Sequence, residues 1–270
     1  MRRSYFAVVV LFGIVIITWA ASQTASSDSS QNRLVNAIEV VPSEFPFLAS
    51  IFWGASFKCG ASIIDDRHLL TAGHCIPKRG RMFSAGLGCH QLSECAELKI
   101  ERYIVHRMYR TQLAAGFDVA LVRMSKRIPF SRRILPIDLP EGDRNDDYTM
   151  GDTLTVAGWN FTNKKVDGDG AGDVALDVPT KISVKPNDCS QDEPKNSWRV
   201  CAESGGTCLR DLGGLLFRTN PSSDSSILVG IISEKWECGA KNKLGSFTRV
   251  SYFRDWIKKA KKKLASTCWD

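Results

Sequence analysis

Apolar residues along this chain fall in short runs broken by turns, and the runs read as strands. Phe45 to Trp53 and Val119 to Met124 are mostly apolar. Leu98 to His106 alternates, with Leu98, Ile100, Tyr103 and Ile104 as anchors. Ala61 to Leu70 is interrupted by an Asp65-Asp66-Arg67 turn. Leu154 to Trp159, Ala175 to Val184, Leu215 to Arg218, Ile227 to Ser233 and Ser246 to Val250 continue the series. Many short strands with turn signals predict a β-sandwich or barrel. Only the last segment has a helical period: Tyr252, Phe253, Trp256, Ile257, Ala260 and Leu264 form one apolar stripe, with lysines elsewhere.

The N-terminus has a different pattern. Arg2 and Arg3 precede an apolar run from Ala7 to Ala20, and the small residues Ala20, Ala21 and Ser22 follow. This is the layout of a secretory signal peptide, expected here over residues 1–20. The run is shorter than the ~20 residues of a spanning helix, and no other stretch is long or apolar enough to span a membrane. The mature form is therefore expected to be secreted and extracellular, with no membrane span. Residues 21–33 are polar and serine-rich and read as a flexible propeptide. Residues 34–270 are left as the folded domain.

The chain is 43% hydrophobic and 24% charged, which excludes a disordered class. Nine cysteines favour a disulfide-bonded, exported protein. No C-x-x-C pair occurs, and no spacing groups His68, His74, His90 and His106, so no metal and no cofactor is expected. The acidic run Asp167 to Asp173 lacks the twelfth-position carboxylate of a calcium loop, where Val178 stands, and reads as a turn. Asn160-Phe161-Thr162 is an N-glycosylation sequon. The formal charge is +7. Arg2 and Arg3 would leave with the signal peptide, and most of the remaining excess sits on Arg254, Lys258, Lys259, Lys261, Lys262 and Lys263. Such a run fits an acidic polysaccharide. Nucleic acid is not expected for an exported chain without stacking signals.

Three motifs occur in order: Thr71-Ala72-Gly73-His74-Cys75, Asp118-Val119-Ala120-Leu121, and Cys208-Leu209-Arg210-Asp211-Leu212-Gly213-Gly214-Leu215. They resemble the histidine, aspartate and nucleophile motifs of chymotrypsin/trypsin-like serine proteases, and the resemblance covers residues 34–264. It implies an all-β fold of two six-stranded antiparallel β-barrels with a C-terminal α-helix. It casts His74 as the general base and Asp118 as its orienting partner, with Ser233 helping to hold the aspartate. It also makes Arg33 an activation site. Cleavage there frees Leu34, whose α-amino group pairs with Asp211 in the family.

The resemblance breaks at the chemistry. The family loop reads Gly-Asp-Ser-Gly-Gly-Pro, and Leu212 stands where the serine belongs. Leucine has neither a lone pair to attack a carbonyl nor a proton to give a base. Arg210 replaces the glycine whose N–H forms half of the oxyanion hole. Gly206 occupies the position of the trypsin specificity aspartate. Ser233-Glu234-Lys235 replaces the usual Ser-Trp-Gly, which puts Lys235 at the pocket mouth. Ser204, the nearest other serine, lies before Cys208 and outside the Asp-x-Gly-Gly turn.

The family pattern further implies Cys59–Cys75, Cys189–Cys201 and Cys208–Cys238 bridges, a local Cys89–Cys95 loop, and Cys268 left over. The reading that follows is a secreted, non-catalytic homologue that binds protein partners in a protease cascade or immune setting, with His74 and Asp118 as relic triad members. Its rivals are a residual serine-type endopeptidase and a glycosaminoglycan-binding protein using the C-terminal lysines.

Overall fold

The computed structural model describes residues 37–77, 82–110, 117–141, 147–159, 161–162, 174–189, 197–203, 214–220, 222–223, 225–233 and 244–266. The first barrel is built from β2 (Leu48–Trp53), β3 (Ser56–Ile63), β4 (His68–Thr71), β5 (Phe83–Leu87), β6 (Ala96–Val105) and β7 (Ala120–Met124). These six antiparallel strands close in the order β2-β3-β4-β7-β6-β5. The short α1 (Arg107–Arg110) follows β6.

The second barrel uses β8 (Leu154–Gly158), β11 (Thr180–Asn187), β12 (Arg199–Glu203), β13 (Leu215–Asn220), β14 (Ser225–Ile232) and β15 (Leu244–Arg249). Their sheet runs β11-β12-β15-β14-β13-β8, and a β11–β8 pairing closes it. The two-residue β1 (Ile38–Glu39) adds to the outside of β11, and β9 (Phe161–Thr162) pairs with β10 (Val174–Ala175). Helix α2 (Arg254–Ala265) ends the fold.

The expected elements differ from this at particular places. The stretch Ala175 to Val184 is not one strand. It breaks at 176–179, a stretch that ends in Pro179, and β11 runs from Thr180 to Asn187. Strands β5 and β12 carried no clear apolar alternation and were not expected. Tyr252 and Phe253 lie in a 3-10 turn, Ser251–Phe253, and α2 begins only at Arg254.

The core explains the unbroken apolar runs. Leu216, Val229 and Ile232 pack inside the second barrel with Leu154, Val156, Val184, Val200 and Phe247. Their neighbours Leu215, Phe217, Leu228 and Ile231 point the other way and join the core of the first barrel. Leu215–Phe217 of β13 and Leu228–Ile232 of β14 are thus buried on both faces, so alternation disappears from these runs. Phe217 meets Phe45 and Phe47 edge-on at 4.9 and 5.1 Å, and Phe57 meets Trp159 at 5.9 Å. The connection between barrels is also tied to each. Ile137 N–H donates to Ile63 O at 2.9 Å, and Leu228 N–H donates to Asp138 O at 2.9 Å.

Two polar clusters brace this frame. Asp147 is fully buried and accepts from Arg249 Nη2 at 2.6 Å, Arg249 Nε at 3.0 Å and Ser251 Oγ at 2.6 Å. Burial would lower the Arg249 pKa, but the Asp147 carboxylate raises it. In the β3–β4 turn, Asp65 accepts from the N–H groups of Arg67 and His68, both at 2.8 Å. It also meets His68 Nδ1 at 2.8 Å and Lys261 Nζ of α2 at 2.5 Å.

The C-terminal end of α2 is held from the first barrel. Arg123 Nη1 donates to Leu264 O at 2.9 Å, and Arg102 Nη1 donates to Ser266 O at 2.8 Å. Arg102 and Arg123 face each other across β6 and β7. The exposed carbonyls and negative pole of the helix end offset their repulsion, as does Glu101, which lies 3.5 Å from Arg123.

Among the described residues, no helix is long and apolar enough to cross a membrane.

Candidate functional site

Three chain segments meet where the barrels adjoin. A short 3-10 turn after β4, Gly73–Cys75, carries His74. Asp118 stands just before β7, and Ser233 just after β14. Asp118 is 4% exposed, so its charge must be met by donors. They are the His74 main-chain N–H, 2.9 Å from Oδ1, and Ser233 Oγ, 2.9 Å from Oδ2. Oδ2 also lies 2.6 Å from His74 Nδ1. Thr248 Oγ1 donates to the Asp118 carbonyl at 3.3 Å. An ionised carboxylate can only accept, so Nδ1 is the donor in this contact. The structure brings His74, Asp118 and Ser233, all named from the sequence, into one hydrogen-bonded group.

The Cys59–Cys75 disulfide lies against the imidazole. Nε2 is 3.4 Å from Cys75 Sγ and 3.8 Å from Cys59 Sγ. These three residues could suggest a metal centre by proximity alone, but sulfurs bonded to each other are not thiolate ligands. The remaining histidines are elsewhere. His68 is on Asp65, and His90 is 3.5 Å from Glu39. His106 stacks among Phe117, Phe253 and Trp256, where burial, then Arg107, lowers its pKa.

Gly73 has a local reason that sequence reading missed. A Cβ there would come within 2.9 Å of Tyr109 Cδ1, 3.0 Å of Asp118 Oδ1 and 3.1 Å of Val105 Cγ1. Tyr109 therefore packs where an alanine methyl would sit. Burial, then the nearby Asp118 charge, raises the Tyr109 pKa. The family motif reads Thr-Ala-Ala-His-Cys, and Gly73 in place of its second alanine is the one sign of this contact in the sequence.

Three expected disulfides are present: Cys59–Cys75, Cys89–Cys95 and Cys189–Cys201. Arg33, Leu34, Asn160, Gly206, Cys208, Arg210, Asp211, Leu212, Lys235, Cys238 and Cys268 lie outside the described residues. A cavity of about 1060 Å³ is lined by Phe45, Leu135, Lys181 and Thr219 among others, and by none of His74, Asp118 and Ser233. The site is therefore identified by its hydrogen bonds, not by cavity size.

A family model described as Trypsin matches residues 34–257. The chain belongs to the trypsin family. Its relatives include transmembrane protease serine 11E of Mus musculus, 31% identical over 83% of this chain and 54% of that protein. CLIP domain-containing serine protease C9 of Anopheles gambiae is 29% identical over 86% of this chain and 69% of its own length. Phenoloxidase-activating factor 1 of Holotrichia diomphalia is 27% identical over 84% of this chain and 69% of its own. The chain spans about half the length of the mouse transmembrane relative. Neuropsin, a serine protease of mouse brain, superposes with a TM-score of 0.65 at 26% identity, over 83% of this chain and 97% of that one.

Proposed function

We propose that this trypsin-family chain is an exported homologue that binds and regulates rather than cleaves. The observation that carries the reading is Leu212 at the nucleophile position of the matched sequence, beside a His74–Asp118–Ser233 arrangement that is otherwise complete. A base aligned on an aspartate does no acyl transfer without a nucleophile to deprotonate. Arg210 compounds the loss, since removing one oxyanion donor alone costs about 10²–10³ in rate. Lys235 and Gly206 remove trypsin-like recognition of a basic side chain.

The relatives named as a CLIP-domain protease and a phenoloxidase-activating factor support protein partners in a protease cascade or immune setting. In this reading residues 1–20 are removed on export and Asn160 carries a glycan. Arg33 is cut, and Leu34 then pairs with Asp211. The lysines of α2 supply a second contact, to an acidic polysaccharide.

The intact base and aspartate favour one rival, a residual serine-type hydrolase. A single experiment separates them. The protein is cut at Arg33, Leu34 is verified as the new N-terminus, and a broad peptide library is offered. A Leu212→Ser/Arg210→Gly version is run in parallel, and both are exposed to a serine-directed covalent probe. We expect silence from the natural form and both labelling and cleavage from the restored one. Cleavage or labelling by the natural form would sink the binding reading.

A further inference from the structure

Helix α2 divides its lysines between two jobs. Ile257, Ala260 and Leu264 are buried against the first barrel. Lys261, on one flank, reaches Asp65 at 2.5 Å, and Asp65 is shared with His68. That lysine fastens the helix to the β3–β4 turn. Lys258, Lys259, Lys262 and Lys263 are exposed, and their positions three and four apart place them on the outer side as one stripe. Asp255, one turn before Lys258 and Lys259, offsets charge only at the N-terminal end.

The stripe borders an aromatic edge. Trp256 is half-buried, three residues before Lys259, with its ring 5.3 Å from His106. The exposed Arg107 follows His106 in α1. The helix end is also held from the first barrel, since Arg123 donates to the Leu264 carbonyl in its last turn and Arg102 to the carbonyl of Ser266 just after it. Its apolar face is fully used in the core, so it cannot lie in a lipid surface as an amphipathic helix does.

We infer that Lys258, Lys259 and Lys262, with Trp256 and Arg107 at their edge, form a rigid docking surface for a linear sulfated polysaccharide, and that Lys261 takes no part in it. The cations meet sulfate groups along the chain, and the indole offers a flat apolar wall to a sugar ring. This rests on the polysaccharide contact proposed above and narrows it to particular residues.

The test uses the full secreted chain on immobilised heparin across a salt series. The natural form is expected to bind, with affinity falling as salt rises. Lys258→Gln/Lys259→Gln/Lys262→Gln should lose about tenfold or more in affinity near physiological salt and show a flatter salt dependence. Lys261→Gln should bind within about twofold of the natural form, because its charge is already committed to Asp65. Trp256→Leu should weaken binding without changing the salt dependence, while Trp256→Phe retains it. Thermal unfolding of each variant checks that the helix is still docked.

Absence of heparin binding by the natural form would remove the polysaccharide contact itself. Binding that survives the triple change, or falls as much with Lys261→Gln, would overturn this assignment of residues while leaving that contact standing. Equal affinity for anionic vesicles or single-stranded DNA would overturn the ligand class.

Discussion

Tyr109 lies over Gly73, with its Cδ1 only 2.9 Å from where a Cβ on residue 73 would stand. The same methyl would meet the Asp118 carboxylate at 3.0 Å, so the crowding falls on the residue that orients His74. Gly73→Ala, although it restores the family motif, should cost about 1–3 kcal/mol by overpacking. Tyr109→Ala in the same chain should recover part of that loss. A double-mutant cycle on unfolding free energy measures the coupling. Additive effects would mean that the two residues do not press on each other.

The buried pair of Arg249 and Asp147 should be the costliest polar site to break. Asp147→Ala leaves a guanidinium 4% exposed without its carboxylate. Removing one partner of such a pair typically costs about 3–5 kcal/mol. Urea unfolding of the two proteins checks this, and a difference within about 1 kcal/mol would contradict a buried ionic role.

Asp65 sets an acid dependence. Burial would push its carboxyl up, but hydrogen bonds from His68 and Lys261, and from the Arg67 N–H, hold it well below the usual carboxylate range. A folded pKa below the unfolded one stabilises the protein above the unfolded value, and the gain fades as pH falls through the folded one. The stability difference between the natural chain and Asp65→Asn should therefore be constant near neutrality. It should shrink once pH drops below about 4, the ordinary aspartate value. Melting curves from pH 7 down to 3 give the answer, and a difference that grows with acid would reverse the assignment.

Arg123→Ala should loosen the end of α2 by removing its donor to Leu264 O. Hydrogen bonds from charged groups are worth about 1.5–3 kcal/mol. Faster amide exchange confined to the last turn of the helix is the expected signature. Unchanged protection there would show that packing of Leu264 alone holds the helix.

The histidine and aspartate of the site were legible because each sits in a short contiguous motif, Thr71 to Cys75 and Asp118 to Leu121. Ser233 was legible only through the resemblance, since one serine after an apolar run has no signal of its own. The Asp147–Arg249 pair was not legible, because its partners are far apart in sequence and neither lies in a motif. Strand β5, Phe-Ser-Ala-Gly-Leu, was missed because glycine and small residues blur alternation. Strand β11 was placed too early because Ala175 to Pro179 is also largely apolar. The helix was legible from its stripe, but not that Lys261 points to a turn of the first barrel.

Strands β13 and β14 serve two cores at once, with Leu216 and Val229 facing one and Phe217 and Leu228 facing the other. Neither barrel can then lose its interior without stripping a wall from its neighbour. Thermal denaturation should follow a single cooperative transition, with calorimetric and van't Hoff enthalpies in agreement. A substitution in either barrel should lower the same melting temperature rather than split the curve in two.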